Sequence, residues 1–413
     1  MLTETVAAYF TVTSSSTVFV LDDPVKGVLD GATYVLAGDV ATTLPAVRQV
    51  TINRGRDRQL DEFVVGTANV EASNRDRLYD PSYAAGLYYG NLVPGKRVTI
   101  TTNGVTIFDG LIEDYNYTYD QVSTDSTVQF SVVDCLATLG SAEFDEWTSS
   151  AGQLVGARLT SILDRAEVAF PASRSIDTGT STLQADLVSW GSNVLNYAQL
   201  VVRADLGQLF ASKDGVLTFY GRNRSVTGVG APVLADDGTG IKYVGIEVDY
   251  GTELLFNRVS VDATGFTKQT VTDAASFAQF GKWYSLSISG LPLDSQQQAL
   301  DLANYLLSLY KTPTSRFKSV TVALHALSDT DQASMLALDI GSVIRLIYTP
   351  NDVAPAIDKF CMVERVSHLI DASQLVHTIT YGLSNLADGF SGHPFILDDP
   401  VAGVLDSTYV LAF

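Results

Sequence analysis

Apolar and polar residues alternate with a period of two over long parts of this chain, and with a helical period over only a few. From residue 47 to 139 the alternation is almost unbroken. Arg48-Gln49-Val50-Thr51-Ile52-Asn53 alternates, Val93-Pro94-Gly95-Lys96 makes a turn, and residues 97–102 alternate again. Asn103-Gly104 then supplies the residues that a tight hairpin requires, leading into Val105-Thr106-Ile107-Phe108. Near Ser149 the period changes. Leu159, Ile162, Leu163 and Ala166 share one helical face, as do Leu195, Ala198 and Val202, and Lys213-Asp214-Gly215 turns a hairpin between residues 207–212 and 216–220. Strands return at 243–250 and 254–261. A marked helix follows, capped by Asp294 with Gln297 reaching back, striped by Ala299, Leu302, Ala303, Leu306 and Tyr310, and stopped before Pro313.

From residue 317 to 386 strands resume in an order seen earlier. Asp339-Ile340-Gly341-Ser342 precedes its strand as Val93-Pro94-Gly95-Lys96 precedes its own. Phe360-Cys361-Met362-Val363-Glu364 echoes residues 108–113, and residues 381–386 echo 134–139. The fold expected is mainly β with α+β insertions, in which two similar β-barrel domains at the ends of the chain flank smaller α+β domains. The divisions are 1–46, a first barrel at 47–145, a small α+β unit at 146–230, an α+β unit at 231–316, a last barrel at 317–390, and 391–413.

The two outermost segments carry one phrase twice. Phe19-Val20-Leu21-Asp22-Asp23-Pro24-Val25-Lys26-Gly27-Val28-Leu29-Asp30 reappears as Phe395-Ile396-Leu397-Asp398-Asp399-Pro400-Val401-Ala402-Gly403-Val404-Leu405-Asp406, and each copy runs on into Thr-Tyr-Val-Leu-Ala. Asp-Asp-Pro is turn chemistry, since Pro fixes φ and Asp bonds its own backbone, and the later Gly permits a second reversal. Phe, Leu and Val between them make an apolar hook. A catalytic site needs one asymmetric cluster, whereas two copies of one surface suit repeated contact with a partner. Phe19, Leu21, Asp22, Asp23, Pro24, Gly27, Leu29 and Asp30, with Phe395, Leu397, Asp398, Asp399, Pro400, Gly403, Leu405 and Asp406, are therefore the expected assembly interface, the alternative being that both copies are strand ends pairing inside one domain. The aspartates lack the spacing and closing Glu of a calcium loop.

Composition narrows the function further. In 413 residues, 46% are apolar and only 17% charged, which suits a folded chain of several domains. The net charge of −20 disfavours binding to nucleic-acid phosphates, and inside a ring it would give a lumen that does not hold passing DNA. The start of the chain has no basic segment followed by an apolar run, and no stretch is apolar enough to span a bilayer, so synthesis in the cytoplasm is expected. Cys135 and Cys361 sit in strand-like settings that suit buried thiols. Arg54, Arg56 and Arg58, near Asp57, Asp61 and Glu62, read as a solvated ion-pair cluster. Gly90 to Lys96 has phosphate-loop spacing, but Arg97 follows and a strand rather than a helix continues, so it reads as a turn. His368 and His377 could meet across a hairpin without a third ligand for zinc. No catalytic, cofactor or metal residues emerge.

Four stretches resemble the baseplate hub, or tail-tip hub, proteins of long-tailed bacteriophages, often labelled minor tail proteins in phages of actinobacteria. They are Ile52-Asn53-Arg54-Gly55-Arg56 with residues 63–68; Leu78-Tyr79-Asp80-Pro81 with residues 92–98; residues 207–210 through Asp214-Gly215 to 218–222; and Asn257-Arg258-Val259 with residues 276–281. The resemblance implies a non-enzymatic homotrimer whose first and last barrels alternate around a pseudo-sixfold ring, adapting a sixfold tube or distal tail ring to a threefold tip. It also implies a virion location at the tail tip, a channel for genome ejection in which DNA is a transient passenger, and contacts with the distal tail ring, tip or receptor-binding proteins and the tape measure protein, without a membrane anchor or cofactor. Two rivals remain. One is a tail-associated cell-wall hydrolase, for which the hub-like pattern leaves little chain. The other is a carbohydrate-binding receptor protein using tyrosines such as Tyr88, Tyr89, Tyr115, Tyr117 and Tyr119, which strands equally favour for packing.

Overall fold

The structure, a computed structural model, describes residues 2–11, 24, 39–120, 125–226 and 228–386. Strands hold 41% of the described residues and helices 18%, so the described part of the molecule is mainly β. Among the described residues thirteen strands form one large sheet. In chain order they are β1 (Glu4–Thr11), β2 (Asp39–Thr43), β3 (Val47–Gly55), β4 (Val64–Ser73), β5 (Arg97–Thr102), β6 (Val105–Thr118), β7 (Thr127–Val133), β8 (Val233–Ala235), β9 (Gly245–Asp249), β10 (Arg316–Ala323), β11 (Val343–Tyr348), β12 (Ile357–Asp371) and β13 (Val376–Asn385). Other strands are given below by residue range.

The neighbours run β9-β10-β13-β12-β3-β4-β7-β6-β5-β1-β2, with β11 also on β12 and β8 on β11. Two sets of six strands share one order. In the first, β3-β4-β7-β6-β5-β1 are adjacent; in the second, β9-β10-β13-β12-β11-β8 are adjacent, and each set follows the same sequence along the chain. The orientation differs at one end only, for β1 runs antiparallel to β5 while β8 runs parallel to β11.

The two sets agree in detail. Gly95 donates its N–H to Ile112 O at 2.7 Å and Ile112 donates to Lys96 O; Gly341 donates to Val363 O at 2.8 Å and Val363 donates to Ser342 O. Both glycines have positive φ, 84° and 81°, which the turn requires and a side chain would resist. The register then slips at matching bulges, between Ile112 and Asp114 in the first set and between Val363 and Arg365 in the second. The echoes of 93–96 and 108–113 thus fall in true register. The third is displaced: the strand pairing brings Asn385, not Tyr381, opposite the role of Asp134. Asp134 accepts the Gly66 N–H at 2.7 Å and Asn385 Oδ1 accepts the Phe317 N–H at 3.2 Å, each fastening the start of its neighbouring strand.

Two barrels were expected; among the described residues no sheet closes on itself. The reason lies in β12. Its first part pairs with β11, and on the same side Arg365–Asp371 continue into pairing with β3, so the two sets fuse edge to edge. One hydrophobic cluster accordingly spans both sets, from Val6 and Phe10 through Ile52, Phe108 and Phe130 to Phe317, Ile344 and Tyr381.

A second cluster fills the middle of the chain. Helices α1 (Leu136–Ser141), α2 (Val155–Leu163), α3 (Val194–Arg203), α4 (Ala274–Phe280) and α5 (Gln296–Tyr310) lie in this part, and α6 (Asp329–Ala337) lies against the large sheet. Leu159, Ile162 and Leu163 of α2, Ala198 and Val202 of α3, and Ala299, Leu302, Ala303 and Leu306 of α5 are all buried there, at positions the helical spacing marks, whereas α2 ends at Leu163 and Ala166 is exposed beyond it. The α5 cap is one residue later than expected: Ser295 accepts the Gln298 N–H, while Asp294 accepts from the Gln298 side chain. The stretches around α2, α3 and α5 share this one core, and β8 and β9, next in sequence to the α5 stretch, pair into the large sheet.

Candidate assembly interface and the junction that supports it

Of the sixteen residues of the repeated phrase assigned to the interface, fifteen lie outside the described residues; Pro24 is described, as an exposed turn residue. A related phrase is described in the middle of the chain. Val233-Leu234-Ala235-Asp236-Asp237-Gly238-Thr239-Gly240-Ile241 has the same run of apolar pair, two aspartates, turn and Gly-apolar ending. Val233–Ala235 add as a parallel strand to Arg345–Ile347, Leu234 is fully buried, and Ile241 returns its N–H to Val233 O at 2.8 Å. Asp237 caps its own turn through the N–H and hydroxyl of Thr239, at 2.9 and 2.6 Å, while Asp236 reaches across to accept the Thr349 N–H at 2.6 Å. Local Asp–backbone bonding of this kind makes the turn. Sequence reading passed over this segment because a one-residue shortening between the aspartates and the closing glycine, with Gly238 in place of the proline, hides the match.

The junction between the two strand sets is a buried polar network. Arg56 Nε donates to Glu364 Oε2 at 2.8 Å, Ser384 Oγ donates to Glu364 Oε1 at 2.6 Å, and Gln208 Nε2 reaches Glu364 Oε2 at 3.3 Å. The Arg56 guanidinium also lies 4.6 Å from the Phe63 ring centroid. Arg54, 3% exposed, pairs with Asp339 at 2.8 Å and donates to Ala211 O. The expected solvated cluster therefore holds only for Arg58, which bonds Asp61 at the surface. Arg54 and Arg56 instead find partners far along the chain, because β3 is an inner strand once β12 joins it. Gly55 makes that joining possible: its φ is +115°, and a Cβ there would stand 2.2 Å from Glu364 O.

Further buried groups brace the same region. Lys213 Nζ donates to Leu336 O and Ala337 O at the end of α6, at 2.7 and 3.0 Å, and burial holds its pKa below the ordinary lysine value. His368 and His377 do meet, Nδ1 to Nε2 at 3.0 Å, and His377 Nδ1 lies 3.1 Å from Glu4 Oε1, so one proton chain satisfies both rings against a carboxylate. Burial, with the neighbouring His377, pushes the His368 pKa well down. No group of three metal-ligating side chains occurs among the described residues. Burial pushes the Asp134 carboxyl up to about 7, against the pull of the Gly66 and Leu136 N–H groups and the charge of Arg54.

The remaining candidates resolve as local chemistry. Gly90 to Lys96 is a turn entering β5, and Lys96 Nζ pairs with Asp39 at 3.0 Å. Cys135 and Cys361 are buried free thiols, as expected. Tyr88 is core, stacked on Tyr79, and Tyr115 packs edge-on to Phe130. Tyr89 and Tyr119 are exposed. No described helix is long and apolar enough to cross a membrane.

No protein-family model matches the chain, and no curated protein does. Solved structures do. The 43 kDa tail protein of prophage MuSo2 from Shewanella oneidensis is similar over 92% of this chain and 98% of its own, with a TM-score of 0.55 at 16% identity. The tail protein from Neisseria meningitidis MC58 is similar over 94% of this chain and 97% of its own, with a TM-score of 0.59 at 11% identity. At such identities the likeness is one of fold, and it extends over nearly the full length of each chain.

Proposed function

We propose that the protein is a structural component of a bacteriophage tail, the hub of the tail tip, and not an enzyme. In this reading it forms a homotrimer that adapts a sixfold tail tube or distal tail ring to a threefold tip and leaves a channel through which the genome leaves. The observation that carries the reading is the repeat of strand order inside one sheet, on a fold shared over nearly its full length with a prophage tail protein and with a second tail protein. Each chain offers two similar modules, so three chains offer six roughly equivalent seats, and a symmetric closed ring is the ordinary way to use them. The acidic surface suits a lumen that releases DNA.

The two terminal phrases supply the contacts in this proposal, clasping either the distal tail ring, the next protein toward the tip, or neighbouring subunits. The protein would reside in the virion at the tail tip after synthesis in the host cytoplasm, next to the tape measure protein and the receptor-binding apparatus. Light scattering of purified protein with imaging of tail tips tests it. A trimer mass and a threefold ring at the tube end are expected; a density elsewhere in the particle, away from the tube end, overturns the hub assignment. Deleting residues 395–413 should abolish tail assembly without unfolding the sheet, and normal infectious tails from that deletion would remove the phrases from the proposal.

A further inference from the structure

A cleft of about 150 Å³ opens where the junction meets α5. Its floor is the Arg56–Glu364 pair, whose charges cancel. Its rim is different. Arg224 lies over the Tyr220 ring at 3.3 Å, and Arg222 lies 5.1 Å from the Tyr305 ring while donating to Thr180 Oγ1 at 3.3 Å. Among the described residues neither guanidinium has a carboxylate partner, in a chain of net charge −20. Tyr305 and Leu309 present an apolar strip beside them, 36% and 44% exposed.

The chain itself leaves from this cleft. Leu386, the residue after β13, forms part of its wall, and residues 387–413 follow. An extended chain covers about 3.3–3.6 Å per residue, so the nine positions to Phe395 span up to roughly 30 Å and can double back with ease. A tethered segment also acts at a high effective concentration. The C-terminal copy of the phrase joins Phe395 and Leu397 to Asp398 and Asp399, which is the complement of an apolar strip beside two arginines. The copies differ in charge as well: the N-terminal one carries Lys26 where the C-terminal one has Ala402, so the C-terminal copy is the more acidic. In sequence the N-terminal copy falls between β1 and β2, two strands at the opposite end of the sheet order from β9.

We propose that in the unassembled chain this cleft is the docking site for residues 395–399 of the same chain, Asp398 and Asp399 pairing with Arg222 and Arg224 while Phe395 and Leu397 cover Tyr305 and Leu309. Aspartate–guanidinium pairing supplies selectivity and the apolar strip supplies burial. The inference stands without the tail assignment, and its failure would leave that assignment untouched.

Disulfide trapping in the full chain tests it, since the native thiols are buried. Leu309→Cys combined with Phe395→Cys should form an intrachain cross-link under mild oxidation, seen by peptide mass. Arg222→Glu with Arg224→Glu should slow trapping by roughly tenfold, an effect of about 1.4 kcal/mol, and Asp398→Arg with Asp399→Arg in that background should restore it. Trapping no faster than that of Leu309→Cys with Phe19→Cys overturns the proposal. A cross-link found only between chains also overturns it, assigning the cleft to a second copy. The charge-swap rescue separates lost docking from lost folding.

Discussion

The two strand sets use one backbone device for different ends. The bulge at Ile112–Asp114 puts Glu113 in solvent, whereas the matching bulge at Val363–Arg365 puts Glu364 in the interior, 3% exposed, with Arg56, Gln208 and Ser384 around it. A bulge re-aims one side chain at little cost to the ladder. In the first set that freedom is idle, and in the second it builds the weld between the sets. Fold repetition thus fixes where a residue can be aimed, while the chain's other half decides whether anything meets it.

The sharpest way to break the comparison is at the paired glutamates. Glu364→Leu strands the Arg56 charge in a buried setting and is expected to cost about 3–5 kcal/mol in denaturant unfolding. Glu113→Leu should stay within about 0.5 kcal/mol. Equal losses at the two positions would remove the distinction. Next in size is Gly55→Ala, where both the φ and the approach of Glu364 O forbid a side chain; a loss of about 2–4 kcal/mol is expected. Gly104→Ala, in the β5–β6 hairpin with open space around it, should cost about 1 kcal/mol.

Asp134 and Asn385 sharpen the comparison through pH. A buried carboxyl with a folded-state pKa of about 7 and an ordinary unfolded one near 3.9 binds more protons folded than unfolded between these values. Stability from this group therefore falls as pH rises from about 4 to about 7 and is level above. Asp134→Asn should flatten that slope. It should also cost about 1–3 kcal/mol, because the carboxylate accepts two backbone N–H groups, from Gly66 and Leu136, and an amide offers one acceptor. His368 has the opposite sign: its depressed pKa makes the unfolded chain the better proton acceptor below about 6.5, so its contribution is lost on acidification. A melt series from pH 4 to 8 on each variant distinguishes the two. The smallest effect belongs to the exposed hairpin pairs, Arg97–Asp109 and Arg345–Asp358; Arg345→Gln should cost under about 1 kcal/mol and lose most of that difference in high salt.

How much of this was legible depended on range. The alternation around β3, β5 and β6, the Asn103-Gly104 turn and the α5 stripe are local, and each needs only its own neighbours to form. The repeat was legible where glycine and a following strand marked it, at Gly95 and Gly341, and was misread at Tyr381 because alternating strands look alike when shifted by an even number of positions. Arg54 and Arg56 could not be read, since Asp339 and Glu364 are their partners only after β12 pairs with β3. The short helices α1, α4 and α6 were missed as well. Ser328 caps α6 and Asp273 caps α4, each with the signal visible in sequence, but neither helix is long enough for its period to stand out.

The antiparallel contact of β3 with β12 sets a condition on synthesis. Arg56 and Glu364 are 308 residues apart, so a ribosome working at about 5–20 residues per second leaves the β3 edge waiting roughly 15–60 s for its neighbour. During that interval the nascent chain presents an unpaired inner strand to every sibling on the same message, and early capture between siblings would exchange whole halves.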